Sequence, residues 1–384
     1  MVCYRHVETT AYVVDSARIV NRRYAYMTFP SELAAARKSA LWREIHEQPQ
    51  VVAQLIEREE AGLRSFVAGL STCTYALFAA RGTSDHAATY ATYALGGVGG
   101  LPVALATPSL HSIYNMPPQL DGALVVGISQ SGQSPDVVSV LHEGRKQGRP
   151  TLALTNDPNS PLAQAADHVI ALGAGEERSV AATKTYTAQL AACALLAALW
   201  RERRDAAAGA SLLAALKQVP DALATALSLD DELANLSQRY RFASRCLVLA
   251  RGFNVATAKE QALKLKELTG LLVDAASSAD FRHGPIALVK PDFPSILIAP
   301  NGPTYEDMSK LAREVAERGG DVLVVSNQES VPVGKLLHVP VQLDEWLTPL
   351  AYIVPGQLLA LYIAQARTDD VDKPGGLRKV TLTL

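Results

Sequence analysis

The stretch at 123–134, Ala-Leu-Val-Val-Gly-Ile-Ser-Gln-Ser-Gly-Gln-Ser, constrains the fold more than any other part of this chain. Residues 124–128 are uncharged and apolar, which is typical of a buried parallel strand. Serines and a glycine follow, and Pro135 then stands where a helix can begin. Such a turn offers free backbone N–H groups and hydroxyl donors at the positive end of a helix dipole, so it predicts a phosphate site. An ordinary turn with capping serines is the alternative interpretation.

Composition sets the class of protein. The chain has 384 residues, which predicts two domains, and its 48% hydrophobic and 19% charged residues indicate a globular protein. A net charge of −2 gives no indication of nucleic-acid or membrane partners, and the longest apolar stretch, at 190–200, is too short to cross a bilayer. The four cysteines show no ligand spacing, so we expect a cytoplasmic protein with no metal, no cofactor and no disulfide framework.

The two halves of the chain resemble each other at an offset of 170 residues. Three anchors match in this register, namely 77–82 with 247–252, Gly132 with Gly302, and His168 with His338. Short apolar runs alternate with helical patterns in both halves, as in parallel sheets with crossover helices. The sequence therefore predicts an α/β fold of two tandem doubly wound domains, each a parallel sheet flanked by helices.

The predicted segments are an unassigned N-terminal extension at 1–26, a helical segment at 27–50, a first domain at 51–204, a helical linker at 205–234, a second domain at 235–366 and a C-terminal tail at 367–384. In doubly wound sheets, ligands bind outside the carboxyl ends of the strands. The second half has Pro-Asn-Gly-Pro at 300–303 where the first half has its serine loop. We therefore expect one phosphate site per chain, in the first domain.

Six short motifs, in order, resemble the sugar isomerase (SIS) domain family. They are Glu-Ile-His-Glu-Gln-Pro at 44–49, Arg-Gly-Thr-Ser at 81–84, Val-Ala-Ala-Thr-Lys at 180–184, Ala-Leu-Lys-Leu-Lys-Glu at 262–267, Arg-His-Gly-Pro at 282–285 and Asp-Val-Asp-Lys-Pro at 370–374. The resemblance extends from about Met27 to the C-terminus. It covers the isomerase half of glucosamine-6-phosphate synthase and the stand-alone amino-sugar-phosphate deaminases, and the phosphate loop and its flanks look closest to the deaminases.

A predicted helix after Gly252 carries Glu260, Lys264 and Glu267 on one face, at spacings of four and three residues. A solvated stripe with one ion pair is the alternative interpretation. The resemblance implies that Glu267 moves a proton between C1 and C2 of the open sugar and that Lys264 polarises the neighbouring oxygen. It also implies that His283, sixteen residues further on, opens the sugar ring from a partner subunit.

The resemblance assigns the remaining site residues. Lys379 matches a tail lysine that reaches the active site, although an ordinary exposed lysine is the alternative. The implied substrate ligands are Thr83, Ser84, Ser129, Gln130, Ser131, Ser134, Val180 and Ala182. Ala182 departs from the serine of the synthase, which removes one sugar contact. His86 either faces the ligand or caps its helix, and it receives no assigned role.

The predicted activity is deamination of glucosamine 6-phosphate to fructose 6-phosphate and ammonia, by ring opening and C1–C2 proton transfer. The sequence contains no glutaminase domain, so we expect no use of glutamine. Three alternatives stay open: a fructosamine-6-phosphate deglycase, a glutaminase-less synthase-like isomerase, and a non-catalytic sugar-phosphate sensor. The resemblance further implies a homodimer whose subunits share active sites.

Overall fold

The computed structural model describes residues 29–70, 73–368 and 370–379, and the predicted extension at 1–26 lies outside these ranges. The first sheet contains β1 (Tyr75–Ala79), β2 (Val103–Leu105), β3 (Ala123–Ile128), β4 (Thr151–Thr155) and β5 (His168–Ala171). The second contains β6 (Arg245–Ala250), β7 (Leu272–Ser277), β8 (Pro294–Ile298), β9 (Asp321–Ser326) and β10 (Lys335–His338). All pairings are parallel, in the orders β2-β1-β3-β4-β5 and β7-β6-β8-β9-β10. The two sheets therefore have the same topology, and the predicted tandem α/β architecture is confirmed.

Helices surround both sheets. Before and within the first half lie α1 (Phe29–Ala36), α2 (Ala40–His46), α3 (Gln48–Gly69), α4 (Thr83–Tyr93), α5 (Ser109–Ser112), α6 (Pro135–Lys146), α7 (Pro161–Gln164) and α8 (Lys184–Glu202). Between the halves lie α9 (Ala206–Leu216), α10 (Val219–Leu227) and α11 (Asp230–Ser237). The second half contains α12 (Val255–Thr269), α13 (Ser278–Arg282), α14 (Tyr305–Glu317) and α15 (Thr348–Gln365).

The repeat is visible in the backbone as well as in the sequence. Gly82 and Gly252, which are 170 residues apart, both adopt left-handed φ values, of 55° and 59°. Each follows the first strand of its sheet and precedes a helix, and a residue with a Cβ would be strained in this conformation. The same turn is therefore built twice, once ahead of α4 and once ahead of α12.

The two halves share one hydrophobic core. Side chains from α3, α8, α12 and α15 contribute to a single cluster of buried residues that reaches both sheets. The segment Glu345–Gln365 corrects the expectation that the longest apolar stretch lies at 190–200, because it is long and apolar enough to cross a membrane. Its apolar window is nevertheless completely buried inside the protein, as in a core helix. Because α4 of the first half packs against α12 of the second, the strand ends of the two sheets bring side chains from both halves into contact.

Candidate active site

The predicted phosphate loop lies between β3, which is buried along its whole length, and α6, which begins at Pro135 as the sequence predicts. Inside the loop the Gly132 N–H donates to the Ser129 hydroxyl at 3.1 Å, and the hydroxyls of Ser129 and Ser134 lie 3.3 Å apart. The Gln133 N–H donates to Ser131 at 3.3 Å. Gly132 has φ of 64°, and a Cβ there would collide with Ser160, so glycine is required.

The loops after β1 and β3 lie side by side, because these strands are neighbours in the sheet. The Arg81 guanidinium pairs with the fully buried carboxylate of Asp136 at 2.7 Å, which ties the first loop to the start of α6. On the other side, the Asn156 N–H donates to the Gln130 carbonyl at 3.0 Å, and the Asn156 side chain donates to the Gly175 carbonyl at 2.8 Å. The four loops after β1, β3, β4 and β5 are thus held together at one sheet edge by polar contacts.

Thr83 and Ser84, at the start of α4, have different surroundings. Ser84 is buried, and its hydroxyl accepts a hydrogen bond from the Gln189 amide at 3.0 Å. Thr83 is half-buried and faces α12, where its hydroxyl donates to a Glu260 oxygen at 3.1 Å and accepts from Lys264 Nζ at 3.3 Å. Of the two hydroxyls, that of Thr83 therefore connects the first domain to the charged helix of the second.

The charged face of α12 is turned inward, so the solvated stripe considered from the sequence is wrong. Lys264 is fully buried, and its Nζ atom lies 3.3 Å from Glu260 Oε1 and 2.6 Å from Glu267 Oε2. Glu260 is also fully buried, whereas 25% of the Glu267 side chain is exposed. The arrangement leaves Glu267 as the acidic group that solvent or a ligand can reach.

Electrostatics in this cluster favour the charged forms. Burial works against the Glu260 carboxylate, but the Lys264 ammonium and hydrogen bonds from His86 and Thr83 outweigh it, so the pKa of Glu260 lies below its ordinary value. Burial likewise works against the Lys264 ammonium, and the two carboxylates outweigh it, so the pKa of Lys264 is raised. Lys264 therefore stays protonated beside Glu267.

His86 is a site residue that received no role from the sequence. Its Nδ1 atom lies 2.7 Å from Glu260 Oε2, so it closes the cluster from the side of the first domain. It stands three residues after Thr83 on α4, a spacing that places both side chains on one face of a helix. That spacing was the available signal, but no local pattern indicated that Glu260 would face it.

The C-terminal tail packs against the first domain. Lys379 Nζ lies 2.8 Å from the buried Glu177 carboxylate and 2.7 Å from the Ser179 carbonyl. Further up the tail, the Asp372 carboxylate accepts the N–H groups of Ala40 and Leu41 at 2.8 Å each.

The same tail holds the predicted Val180 and Ala182 segment. The Val180 N–H donates to the Asp372 carbonyl at 2.9 Å, and the Ala182 side chain is half-buried on the same loop. Lys379, Val180 and Ala182 are therefore gathered around one loop, which follows β5.

Glu44 lies behind this loop and is almost completely buried. Its carboxylate accepts the backbone N–H groups of Arg178 and Ser179. Burial raises the pKa of Glu44 to about 7, with a further contribution from the neighbouring Glu177 carboxylate, while the two N–H donors and Lys379 oppose the shift. The loop that carries Val180 thus rests on a carboxyl group that titrates near neutral pH.

Like Lys379, which pairs with Glu177, His283 is a predicted catalytic residue that has no contact with the α12 cluster among the described residues. It caps α13 and is exposed, and the described residues provide no hydrogen bond to its imidazole. Glu267, by contrast, lines an open cleft of about 300 Å³ together with Pro374, Gly375 and Leu377 of the tail. The cleft places the tail next to the exposed carboxylate.

Two doubly wound parallel sheets in tandem, with a serine loop after β3 and with Thr83 in contact with the charged face of α12, define a class of two-domain α/β protein. The SIS domain family model matches residues 69–199 and 240–364. The chain therefore belongs to the SIS domain family, and the resemblance described from its motifs is confirmed.

Several relatives are isomerizing glutamine–fructose-6-phosphate aminotransferases. The one from Xylella fastidiosa (strain Temecula1) is 35% identical over 354 residues, which are 88% of this chain and 58% of the relative. The one from Thermococcus kodakarensis is 30% identical over 373 residues, which are 95% of this chain and 62% of the relative. The chain thus spans about three fifths of the length of these relatives.

Solved structures agree with this assignment. The C-terminal domain of glucosamine-fructose-6-phosphate aminotransferase from Francisella tularensis is 27% identical, has a TM-score of 0.80, and matches 88% of this chain and 98% of its own. A glucosamine-6-phosphate deaminase from Thermotoga maritima has a TM-score of 0.69 over 90% of this chain and 100% of its own. At 20% identity the latter likeness shows the fold alone.

Proposed function

We propose that this protein is an amino-sugar-phosphate deaminase that converts glucosamine 6-phosphate and water to fructose 6-phosphate and ammonia. The observation that carries the proposal is the pairing of the buried Lys264 with the partly exposed Glu267 on α12, where Lys264 also contacts Thr83 at the strand ends of the first domain. A protonated lysine beside a solvent-accessible carboxylate provides both the polarising charge and the base that proton transfer between adjacent carbons needs.

The substrate phosphate binds in the loop at 129–134. Four of its proposed ligands, Ser129, Gln130, Ser131 and Ser134, follow β3, and α6 contributes the positive end of its dipole. Thr83 and Ser84 supply further donors from the neighbouring loop, and Val180 and Ala182 border the sugar. Two observations support this placement: Gly132, where a Cβ would collide with Ser160, lets the loop pack closely against the start of α7, and the Arg81–Asp136 pair fixes the adjacent loops.

The reaction follows from the order of the groups. His283 donates a proton to the ring oxygen and accepts one from the anomeric hydroxyl, which opens the ring. Glu267 removes the proton from C2 and returns it to C1, while Lys264 stabilises the negative charge on the neighbouring oxygen. Water then attacks the resulting C2 imine and ammonia leaves, with Lys379 as a further cation at the site. No step requires glutamine or a metal ion.

The same proposal includes a homodimer in which His283 acts in the active site of the partner subunit. Its exposure at the end of α13, away from Glu267, supports this assignment. Subunit exchange between inactive Glu267→Gln and His283→Ala homodimers should restore one working site per heterodimer. Exchange demonstrated by mass without any recovery of activity would contradict it.

The direct test is ammonia release from glucosamine 6-phosphate by the purified chain, with and without EDTA. Activity that EDTA leaves unchanged is expected, and inactivation by EDTA would contradict the metal-free mechanism. A preference for fructosamine 6-phosphates of about tenfold in kcat/KM, which is about 1.4 kcal/mol, would assign the protein as a deglycase instead. No turnover of either substrate, with fructose 6-phosphate still bound, would indicate a sensor.

A parallel assay covers the remaining alternative. Net synthesis of glucosamine 6-phosphate from fructose 6-phosphate and ammonia, without measurable deamination, would assign a synthase-like isomerase. We also propose a cytoplasmic location, because Cys73, Cys193 and Cys246 are all free thiols, as expected in a reducing compartment.

A further inference from the structure

His86 and Glu260 form a buried contact between the two domains to which the proposed reaction gives no part. His86 lies on α4, with 17% of its side chain exposed, and Glu260 lies on α12, with none exposed. Their atoms Nδ1 and Oε2 are 2.7 Å apart. A buried carboxylate requires donors for both oxygens, and Thr83 and Lys264 serve Oε1, so His86 is the donor for the other.

The cluster holds more carboxylates than ammonium groups. Glu260 and Glu267 place two carboxylates around the single ammonium of Lys264. Of the other groups near α12, Lys259 is directed to the Thr89 hydroxyl at 3.4 Å. The Tyr186 phenol on α8 is fully buried, and its pKa lies well above its ordinary value, so it stays neutral. His86 is therefore the group from the first domain that serves the second oxygen of Glu260 in this cluster.

We infer that His86 is a positioning residue, which holds Glu260 as an anion so that Lys264 stays protonated and beside Glu267. The inference rests on the proposed function and extends it to a residue that does not contact the substrate. If His86 is removed, a buried carboxylate oxygen loses its donor. Glu260 then either takes up a proton, which removes one of the two anions that keep Lys264 charged, or draws Lys264 away from Glu267. Both outcomes reduce proton transfer more than substrate binding.

The test compares three variants over the pH range in which the fold is stable. His86→Ala should lower kcat roughly ten- to hundredfold, the value of one hydrogen bond to a charged group, and leave KM nearly unchanged. The acid limb of its kcat profile should move to higher pH, because Glu260 loses a hydrogen-bond donor and becomes easier to protonate. His86→Asn keeps a side-chain N–H close to the position of Nδ1, and it should recover most of kcat. His338→Ala, on an exposed histidine, is the control and should match the wild type.

Three results would overturn the inference. The first is a folded His86→Ala variant whose kcat and pH profile match the wild type. The second is a His86→Asn variant no more active than His86→Ala, and the third is a loss confined to KM. A readout that needs no turnover separates this inference from the proposed function. A downfield Nδ1–H resonance of His86 should be present in the wild type and absent in Glu260→Gln, and a spectrum without that difference would contradict the pairing whatever the substrate is.

Discussion

The two halves of this protein have the same sheet order and the same left-handed glycine after their first strand, yet their strand edges carry different chemistry. In the first half, β3 leads into a loop of serines, with Thr83 close by. In the second half, the helix after Gly252 carries a buried lysine between two carboxylates. The repeated topology fixes where a ligand can bind, and the side chains decide what each half contributes.

The second half also shows why the phosphate loop is not duplicated. At Gly302, the counterpart of Gly132, a Cβ would stand 2.5 Å from an oxygen of the Glu345 carboxylate. The Thr304 hydroxyl donates to the other oxygen of that carboxylate at 2.6 Å. A carboxylate held at this edge repels a phosphate, so the comparison predicts binding by the first half and acid–base chemistry by the second.

The largest expected effect comes from removing the proposed catalytic base, which the second half contributes. Glu267→Gln keeps the shape of the side chain but removes its ability to accept a proton, so kcat should fall by roughly 10²–10⁴ while KM stays near its wild-type value. Steady-state kinetics on glucosamine 6-phosphate measure this split. Glu317→Gln, on an exposed position of α14, is the matched control. A Glu267→Gln variant with normal kcat would transfer the base role to another residue.

Removing phosphate ligands from the first half should give the opposite pattern, with the effect on KM. Ser129→Ala with Ser131→Ala removes two hydroxyl donors to a charged group, each with a contribution of about 1.5 kcal/mol or more, so KM should rise by about a hundredfold. The rise should be similar for every sugar 6-phosphate tested. Ser211→Ala, on the exposed face of α9, provides the control. An unchanged KM would show that the phosphate binds elsewhere.

The C-terminal tail extends the comparison of the two halves, because it follows the second sheet in the chain but packs against the first half. Lys379→Met leaves the buried Glu177 carboxylate without its cation, and Glu177→Gln removes that charge. A double-mutant cycle on the free energy of unfolding should therefore give a coupling of about 1–2 kcal/mol between these two residues. Lys373→Met, in an exposed part of the same tail, should show no coupling to Glu177→Gln. Equal coupling for both lysines would mean that the Lys379 contact has no specific effect on stability.

The smallest effect concerns Glu44, beneath the loop that carries Val180. Its folded-state pKa of about 7 lies above the ordinary 4.5, so the favourable contribution of its neutral form is complete below pH 4.5 and is lost as the pH rises through 7. The Glu44→Gln side chain stays neutral at every pH, so this variant does not lose stability as the pH rises. It also replaces charge-assisted hydrogen bonds with neutral ones, so the net increase in the free energy of unfolding above neutral pH should be about 1 kcal/mol. Melting curves of both proteins against pH test this, and a difference that does not change with pH would contradict it.

Local sequence patterns predicted much of the fold. The apolar run at 124–128 and Pro135 located β3 and the start of α6, and the repeat at 170 residues predicted two equivalent sheets. These features depend on neighbouring residues or on direct comparison of two segments. The position of Glu260, Lys264 and Glu267 on one helix face also followed from spacing alone.

The sequence did not predict which charged groups become buried together. Helical spacing cannot distinguish a solvated stripe from a buried one, because burial of α12 depends on α4 and α15, which lie far away in the chain. The contacts of His86 with Glu260 and of Glu44 with the loop at 178–179 join residues 174 and about 134 positions apart. Only the folded chain brings the members of these pairs together.

The most direct test of the division between the halves is the stoichiometry of fructose 6-phosphate binding, measured by titration calorimetry on the intact chain. The wild type should bind one molecule per chain, Glu267→Gln should bind the same number with similar affinity, and the Ser129→Ala, Ser131→Ala double variant should bind about a hundredfold more weakly. Two molecules per wild-type chain, or undiminished binding by the double serine variant, would contradict a single site with its phosphate ligands in the first half.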